Sequence, residues 1–156
     1  MKTLLVAEFR EGKLRAEYTQ LIAFAQQQQT EAAMFVVGSG AELPRFNGTL
    51  YLADVAQYGE YNPTVHKQLL LEVIAKEQPE QIVFLHSSYG WDLAPRIAVS
   101  LKAAQIAEVV AIEEGDKACR SLWRRAQACN LIFQQTSSIQ HGHHFAEFRF
   151  VRILCA

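Results

Sequence analysis

At 156 residues, the chain has the size of one domain with its own core, because a chain of this length buries roughly 70% of its unfolded surface on folding. Half of the residues are hydrophobic and 20% are charged, which excludes an intrinsically disordered protein. The net charge of -1 gives no overall attraction to nucleic acid or to an anionic membrane.

The first elements in chain order are strands and helices in alternation. An apolar run over residues 3–9 predicts a strand, and it is too short for the apolar region of a signal peptide. The pattern then predicts a helix at 17–29, strands at 32–37 and 48–53, and a helix that Asn62-Pro63-Thr64 opens and Gln78-Pro79 closes.

The same alternation continues with a strand at 81–85, a helix and a strand at 108–112. The helix is marked by Leu93, Ile97 and Leu101 at four-residue spacing. The strands are continuously apolar, which is typical of a parallel sheet buried between two layers of helices. We therefore predict an α/β fold with a doubly wound, mainly parallel sheet.

The composition changes near Lys117. Residues 117–156 carry six Lys or Arg and one acid, a net charge of +5, which leaves nine basic and fifteen acidic residues, a net charge of -6, in residues 1–116. Polar and apolar residues alternate over 147–153, which predicts an edge or antiparallel strand. We expect residues 1–116 to form the α/β domain and residues 117–156 to be a divergent, irregular or antiparallel tail of the same domain.

The cysteines and the apolar runs indicate the compartment. Cys119, Cys129 and Cys155 are an odd number without a C-x-x-C motif, so reduced thiols are expected and neither a zinc site nor a disulfide framework is supported. No run approaches the roughly 18 apolar residues of a membrane span. We expect a soluble, cytoplasmic protein with no membrane insertion.

The turn after the fourth strand is a candidate site for an anion or a nucleotide. Ser87, Ser88 and Gly90 are expected at the carboxyl edge of the sheet, where helix N-termini present free N–H groups. Arg96, a turn or more inside the helix, could add positive charge. Asp92 argues against phosphate, because an aspartate that caps the helix would itself occupy those N–H groups. A purely structural helix start is therefore favoured.

Gly38-Ser39-Gly40 is a second candidate for nucleotide binding. It follows the second strand instead of the first, and it lacks the third glycine of the dinucleotide fingerprint. A simple turn is favoured at these three residues.

Two clusters in the tail offer other chemistry. His141-Gly142-His143-His144 has no acid or cysteine at ligand spacing, so no metal site is predicted and a metal-dependent enzyme is a minor alternative. Trp123-Arg124-Arg125 falls far short of the basic stripe of a nucleic-acid-binding protein, so no nucleic acid partner is expected. No Ser/His/Asp or Cys/His set singles out a nucleophile, and no catalytic residue is assigned.

Two segments resemble motifs of the electron transfer flavoprotein alpha subunit. Residues 50–58, LYLADVAQY, resemble its "vyladap-x-y" segment, and residues 87–98, SSYGWDLAPRIA, resemble its "s-x-x-G-[kr]-D-L-A-P-R-[vl]-A" segment. Residues 5–8, 36–40 and 105–113 agree as well, so the resemblance covers residues 3–120. The D-L-A-P-R run is its most specific mark.

The resemblance implies the N-terminal domain of that subunit, with a Rossmann-like fold similar to the adenine nucleotide alpha hydrolases. In the family, a following C-terminal domain carries most of the FAD site. The alpha subunit pairs with a beta subunit, which binds AMP, and the heterodimer carries electrons from flavin dehydrogenases to a membrane quinone reductase. The turn corresponding to residues 87–92 is not known as a nucleotide site.

The sequence departs from the family pattern in its length and in its tail. It ends before the FAD-binding domain would begin and contains no glycine-rich flavin segment, so we expect no FAD to be bound by this chain alone. After residue 120 the sequence differs from the family pattern, which leaves two hypotheses. Either the reading frame shifted after Leu122, or the chain is a natural stand-alone domain with its own extension.

A deletion in the sheet region is the third departure. Only nine residues separate Gly40 from Leu50, where the family has a helix. We expect this helix to be absent or a single turn, and an exposed apolar patch that suits a partner-binding protein to result.

The sequence thus predicts an electron transfer flavoprotein alpha-like domain that acts as scaffold and docking unit, without an FAD site and not as an enzyme. The expected partner is a beta-subunit-like protein, and a homodimer is left open. The alternative is a stand-alone adenine-nucleotide-binding module that uses Gly38, Ser39, Gly40, Ser87, Ser88, Gly90 and Arg96.

Overall fold

The computed structural model describes residues 1–113, 117–120, 129–133 and 151–155. In these ranges the helices are α1 (Tyr18–Gln27), α2 (Val55–Tyr58), α3 (Pro63–Glu77) and α4 (Ser88–Leu101). The strands are β1 (Lys2–Val6), β2 (Phe9–Arg10), β3 (Lys13–Leu14), β4 (Glu31–Gly38), β5 (Gly48–Asp54), β6 (Gln81–Leu85), β7 (Ala104–Glu113), β8 (Lys117–Arg120), β9 (Cys129–Phe133) and β10 (Val151–Cys155).

The main sheet has the order β10-β5-β4-β1-β6-β9-β7-β8. Its centre is parallel, because β5, β4, β1 and β6 all run in one direction. Strand β9 is antiparallel to both β6 and β7, so β7 runs in the direction of the central four. The predicted doubly wound, mainly parallel sheet is confirmed, and the predicted antiparallel strand near the end of the chain is β10, which pairs with β5.

Both faces of the four central parallel strands are buried, as continuously apolar strands predict. Alternate side chains of β1 pack on opposite sides, with Leu4 and Val6 in the cluster formed with α3 and α4. Leu5 belongs to the second cluster, in which α1 contributes Leu21 and Ala25. This two-sided burial fixes the register of the strands, since a shift by one residue would exchange the two faces.

The loop between β4 and β5 contains no helix, as the short spacing predicts. Its Phe46 is only 7% exposed and belongs to the same cluster as α1. The ring lies over Gly48, where an added Cβ would stand 2.8 Å from Phe46 Cε1. Met34 and Leu50 of the same cluster are fully buried. The expected exposed apolar patch on this face is therefore wrong, because one aromatic ring replaces the cover that a helix would give.

Helix α3 begins as predicted. Asn62 is its N-cap and its Oδ1 accepts a hydrogen bond from Val65 N at 3.2 Å, while Pro63 occupies the first turn. Helix α4 begins at Ser88, a full turn before the D-L-A-P-R run, so Pro95 lies in its interior. Because proline has no N–H, the carbonyl of Trp91 has no partner four residues ahead.

The start of α4 touches the end of β6 directly. A Cβ added at Gly90 would stand 2.1 Å from the carbonyl oxygen of Leu85 and 3.3 Å from its carbonyl carbon. Any other residue would have to push the helix away from the strand. Gly90 therefore serves close packing between helix and strand, and no ligand is needed to explain its presence.

Replacement of this glycine tests the contact. Gly90→Ala is expected to lower the free energy of unfolding by about 3 kcal/mol, because its methyl group must displace backbone. Gly40→Ala is the control, since the nearest heavy atom to its Cβ would be Leu52 Cδ2 at 4.0 Å, and a change within about 0.5 kcal/mol is expected. Urea unfolding measures both variants, and equal stabilities would contradict the close approach.

Candidate functional site

A small hairpin covers the carboxyl edge of the parallel sheet, where open α/β sheets bind their ligands. The chain leaves β1 through Ala7 and Glu8 and turns back as β2 and β3. Phe9 of this hairpin lies against the end of β4, because a Cβ at Gly38 would meet its Cδ2 at 3.4 Å. The hairpin therefore occupies part of the crevice in which a nucleotide would be expected.

Two carboxylates hold the hairpin in place. Glu60, in the loop before α3, accepts hydrogen bonds from Glu11 N at 2.9 Å and from Gly12 N at 2.6 Å. Glu42, in the loop after β4, accepts one from Leu14 N at 2.8 Å. Charged acceptors of backbone N–H groups make hydrogen bonds stronger than neutral ones. The hairpin is thus tied to the loops on both sides of the crevice.

A cavity of about 230 Å³ remains between the hairpin and the start of α4. It combines acidic, aromatic and hydroxyl groups, and its lining residues are Glu8, Phe9, Arg10, Glu60, Tyr61, Ser88 and Tyr89. These residues come from the end of β1, the hairpin, the loop before α3 and the first turn of α4. The cavity is the candidate site.

Glu8 lies at the floor of the cavity and is only 5% exposed. The Ser87 hydroxyl donates a hydrogen bond to its Oε1, and the same Ser87 Oγ accepts one from Gly90 N at 3.1 Å. Burial raises the pKa of Glu8 above its usual 4.5, and this outweighs the lowering effects of the Ser87 hydrogen bond and of Arg15 and Arg10. An acidic group therefore stands beside the N-terminus of α4.

The fully buried His66 and the partly buried Tyr89 form a polar pair at the cavity wall. His66 Nε2 lies 3.0 Å from the carbonyl oxygen of Gly59, and its Nδ1 lies 3.0 Å from the Tyr89 hydroxyl. Because a carbonyl can only accept, Nε2 carries the proton and the neutral ring accepts from Tyr89. Burial lowers the pKa of His66 below its usual 6.5, against the effect of its backbone hydrogen bonds.

Tyr61 completes an aromatic cluster with this pair. Its ring centroid lies 5.4 Å from that of Tyr89 and 6.1 Å from that of His66, both in edge-to-face arrangements. The Tyr61 hydroxyl donates to Asp92. Burial, and to a smaller degree the charge of Glu8, raises the pKa of Tyr89, so its hydroxyl stays protonated and available as a donor to His66.

The predicted site residues of the α4 turn lie together at one end of the cavity. Ser87 is the N-cap of α4, and Ser88 lines the cavity, where its Oγ lies 3.4 Å from Arg10 Nη1. Arg96 is engaged elsewhere, because its guanidinium donates to Asp92 Oδ1 at 3.1 and 3.2 Å. The expectation that Asp92 caps α4 is wrong: it lies inside the helix, paired with Arg96 and Tyr61.

Gly38, Ser39 and Gly40 lie at the same edge of the sheet but away from the α4 turn. Strand β1 separates β4 from β6, so the two segments are two strand spacings, about 10 Å, apart. Ser39 accepts a hydrogen bond from Ala41 N at 3.2 Å through its Oγ and one from Glu42 N at 3.1 Å through its carbonyl. These bonds form a turn, and none of the three residues lines the cavity.

Sequence patterns did not reveal Glu8, Glu60, Tyr61, His66 and Tyr89 as members of one site. Glu8 alone carries a usable signal, since an acid that directly ends an apolar strand stands at the carboxyl edge of a sheet. His66 lies among apolar residues of α3 and resembles an ordinary helix position.

The metal and nucleic-acid candidates of the tail, at 141–144 and 123–125, lie outside the described residues. Within the described ranges, no group of three or more His, Cys, Asp or Glu side chains could hold a metal ion. Of the helices in those ranges, none has the length and apolarity that crossing a membrane requires.

Comparison with known proteins identifies one family. The sequence model of the electron transfer flavoprotein domain matches residues 3–150. The match therefore includes the cavity, and it continues past residue 120, where the recognisable motifs end.

Two curated relatives are alpha subunits of electron transfer flavoproteins. The chain is similar to the protein of Syntrophomonas wolfei subsp. wolfei (strain DSM 2245B / Goettingen), with 24% identity over 117 residues that cover 71% of this chain and 37% of the relative. It is also similar to the protein of Bacillus subtilis (strain 168), with 26% identity over 117 residues that cover 70% of this chain and 36% of the relative. The matched region thus spans little more than a third of these relatives.

The buried acid makes stability depend on pH. A folded-state pKa above the unfolded value means that the contribution of Glu8 is complete below pH 4.5 and is lost as pH rises through the raised pKa. Glu8→Gln removes this loss, so the variant should gain stability relative to the native protein as pH rises from 4.5. Urea unfolding over this window measures the difference. A difference that is constant with pH would contradict the assignment.

The hydrogen bond between Tyr89 and His66 predicts that loss of the Tyr89 hydroxyl destabilises the protein more than loss of the Tyr61 hydroxyl. Tyr89→Phe removes the donor to a fully buried ring nitrogen and should cost about 1–2 kcal/mol in the free energy of unfolding. Tyr61→Phe should cost less than about 0.5 kcal/mol, because Tyr61 is 46% exposed and water can replace its bond to Asp92. Denaturant titration compares the two variants, and equal costs would refute the buried pair.

Proposed function

The chain belongs to the electron transfer flavoprotein domain family, and on this premise we propose that it is the N-terminal α/β unit of an alpha-subunit-like electron carrier. Its role is scaffold and partner docking, and the flavin chemistry takes place elsewhere in the assembly. It is an electron-transfer component of the cytoplasm and not an enzyme.

The family match carries this proposal. Both curated relatives bear the name electron transfer flavoprotein subunit alpha, and the matched region amounts to 37% and 36% of their length. A unit of this size corresponds to the α/β part of such a subunit. The D-L-A-P-R run supports it further, because it resembles a motif of the alpha subunit. It lies in α4, whose start packs closely against β6 at Gly90.

We propose that FAD is bound by the full assembly and not by this chain alone. Dinucleotides bind with their phosphates at helix N-termini along the carboxyl edge of the sheet. Here the hairpin covers that edge, and the carboxyl group of Glu8 is bonded to the N-cap residue of α4. Both features oppose a phosphate at this position.

We also propose that residues 117–156 belong to the same folding unit as residues 1–116. Strands β8, β9 and β10 pair with β7, β6 and β5 in one sheet. The family match reaches residue 150. Both observations favour a native tail over one replaced through a frame shift.

A strip on the outer face of α4 is the proposed docking surface. Trp91 and Val99 are 52% and 78% exposed, which is unusual for large apolar side chains. They are eight residues apart on one helix, so their side chains lie about 80° apart around its axis, both on the exposed side. The proposed partner is a beta-subunit-like protein that covers this strip; a second copy of the chain is the alternative occupant.

Coexpression with a beta subunit tests the docking role. The two chains should elute as one complex in gel filtration, and Val99→Asp should weaken the complex at least tenfold, because a buried charge replaces an apolar contact. Ala75→Asp, on the exposed side of the neighbouring α3, is the control and should leave the affinity unchanged. Absence of a complex, or equal effects of both variants, would count against the proposal.

A stand-alone adenine-nucleotide-binding module is the second candidate function. The observation that favours it is the placement of Ser87, Ser88 and Gly90 at a helix start on the carboxyl edge of the sheet. The acid Glu8 beside this helix start opposes it. If the first proposal holds, AMP and ATP should not raise the melting temperature of the isolated chain. A saturable rise that Glu8→Gln enlarges would favour the module instead.

A further inference from the structure

We propose that the cavity between the hairpin and α4 binds a small organic cation, an ammonium group on an aromatic or aliphatic body, with Glu8 as its carboxylate partner. Four kinds of observation support this: the shape of the cavity, its rings, its remaining hydrogen-bond capacity and its charge. None of them depends on the electron-transfer role.

The cavity is large enough for a small ligand and is lined by three aromatic rings. Its volume is about 230 Å³, and Phe9, Tyr61 and Tyr89 all contribute to its walls. The rings of Tyr61 and Tyr89 meet at 64°, so they form a corner instead of a flat wall. Aromatic faces attract an organic cation, and the attraction grows when the site is shielded from water.

Three of the hydroxyl protons around the cavity are already committed. Tyr61 donates to Asp92, Tyr89 to His66 and Ser87 to Glu8 Oε1. What these hydroxyl groups still offer a ligand is their oxygen lone pairs, which accept hydrogen bonds. A ligand must therefore supply the donors for hydrogen bonds to these three oxygens.

The two cavity carboxylates are not equivalent. Both oxygens of Glu60 already accept hairpin N–H groups. Glu8 uses Oε1 for Ser87, whereas its Oε2 has no hydrogen bond within the described residues. An ammonium group carries three donors and can satisfy Glu8 and a tyrosine oxygen together. Glu8 is thus the specific anchor.

The charge of the cavity favours a cation over an anion. Its lining contains the acids Glu8 and Glu60 and one base, Arg10. The Arg10 guanidinium is turned toward Ser88 Oγ at 3.4 Å and Glu11 at 4.0 Å, and its side chain is 58% exposed. A phosphate would meet the buried Glu8 carboxylate, which is costly without a cationic partner.

Burial of Glu8 couples such binding to pH. The groups that bear on its titration are Ser87, Arg15, Glu17 and Arg10, with Tyr89 beside it. Because a bound ammonium favours the ionised carboxylate, binding releases a proton from Glu8 wherever it is protonated. The affinity for an amine should therefore rise with pH through the raised pKa of Glu8 and then level off.

NMR titration of the full chain with tyramine tests the proposal. Tyramine should shift the backbone amides of residues 8–12, 59–61 and 87–90 saturably. 4-Methylphenol, which has a similar ring without the amine, and AMP should bind at least tenfold more weakly. Shifts outside the cavity, no saturable shift, or equal or tighter binding of 4-methylphenol or AMP would overturn the assignment.

Two variants separate the carboxylate from the rings. Glu8→Gln should reduce tyramine affinity at least tenfold and abolish its pH dependence, whereas Glu31→Gln, an exposed acid at the opposite edge of the sheet, should change neither. Tyr61→Ala should weaken tyramine binding severalfold. It provides a second test of the site if Glu8→Gln does not fold. The site would be refuted if both Glu8→Gln and Tyr61→Ala bound tyramine with native affinity. If Glu8→Gln fails to fold, native affinity in Tyr61→Ala alone would refute it.

Discussion

The close approach of Gly90 to Leu85 determines the geometry of the carboxyl edge. The turn is so tight that Ser87 N donates to Leu85 O at 3.0 Å, and no side chain fits between helix and strand. Ser87 must then act as the helix cap, and its hydroxyl reaches Glu8 at the end of the neighbouring strand β1. One missing Cβ thus brings a helix N-terminus, a serine and a buried acid into one network.

The hairpin after β1 changes what this edge can bind. In an open sheet, the helix N-termini would face solvent and attract anions. Here the chain folds back over the edge, and Glu42 and Glu60 fix it through backbone N–H groups. The remaining space is small, aromatic and acidic. The usual ligand position of a fold that commonly serves nucleotides is therefore lined here by acidic and aromatic side chains.

Local patterns were sufficient for most elements and insufficient for the site. Strand β6 and the cap of α3 could be predicted from apolar runs and from Asn62-Pro63, because these signals act over a few residues. Ser87 and Asp92 are both good caps, so local preference could not choose between them; the contact at Gly90 decides. The meeting of Glu8 with His66 and Tyr89 depends on tertiary packing, which no short pattern encodes.

The place of β9 and β10 has a consequence for how the chain is made. The parallel core of β5, β4, β1 and β6 is complete once residue 85 has been synthesised. The partners of its two outer strands come much later in the chain: β10 pairs with β5, and β9 pairs with β6. Until these emerge from the ribosome, two unpaired edges remain open to other chains. The late strands thus protect a nascent sheet against aggregation as well as completing it.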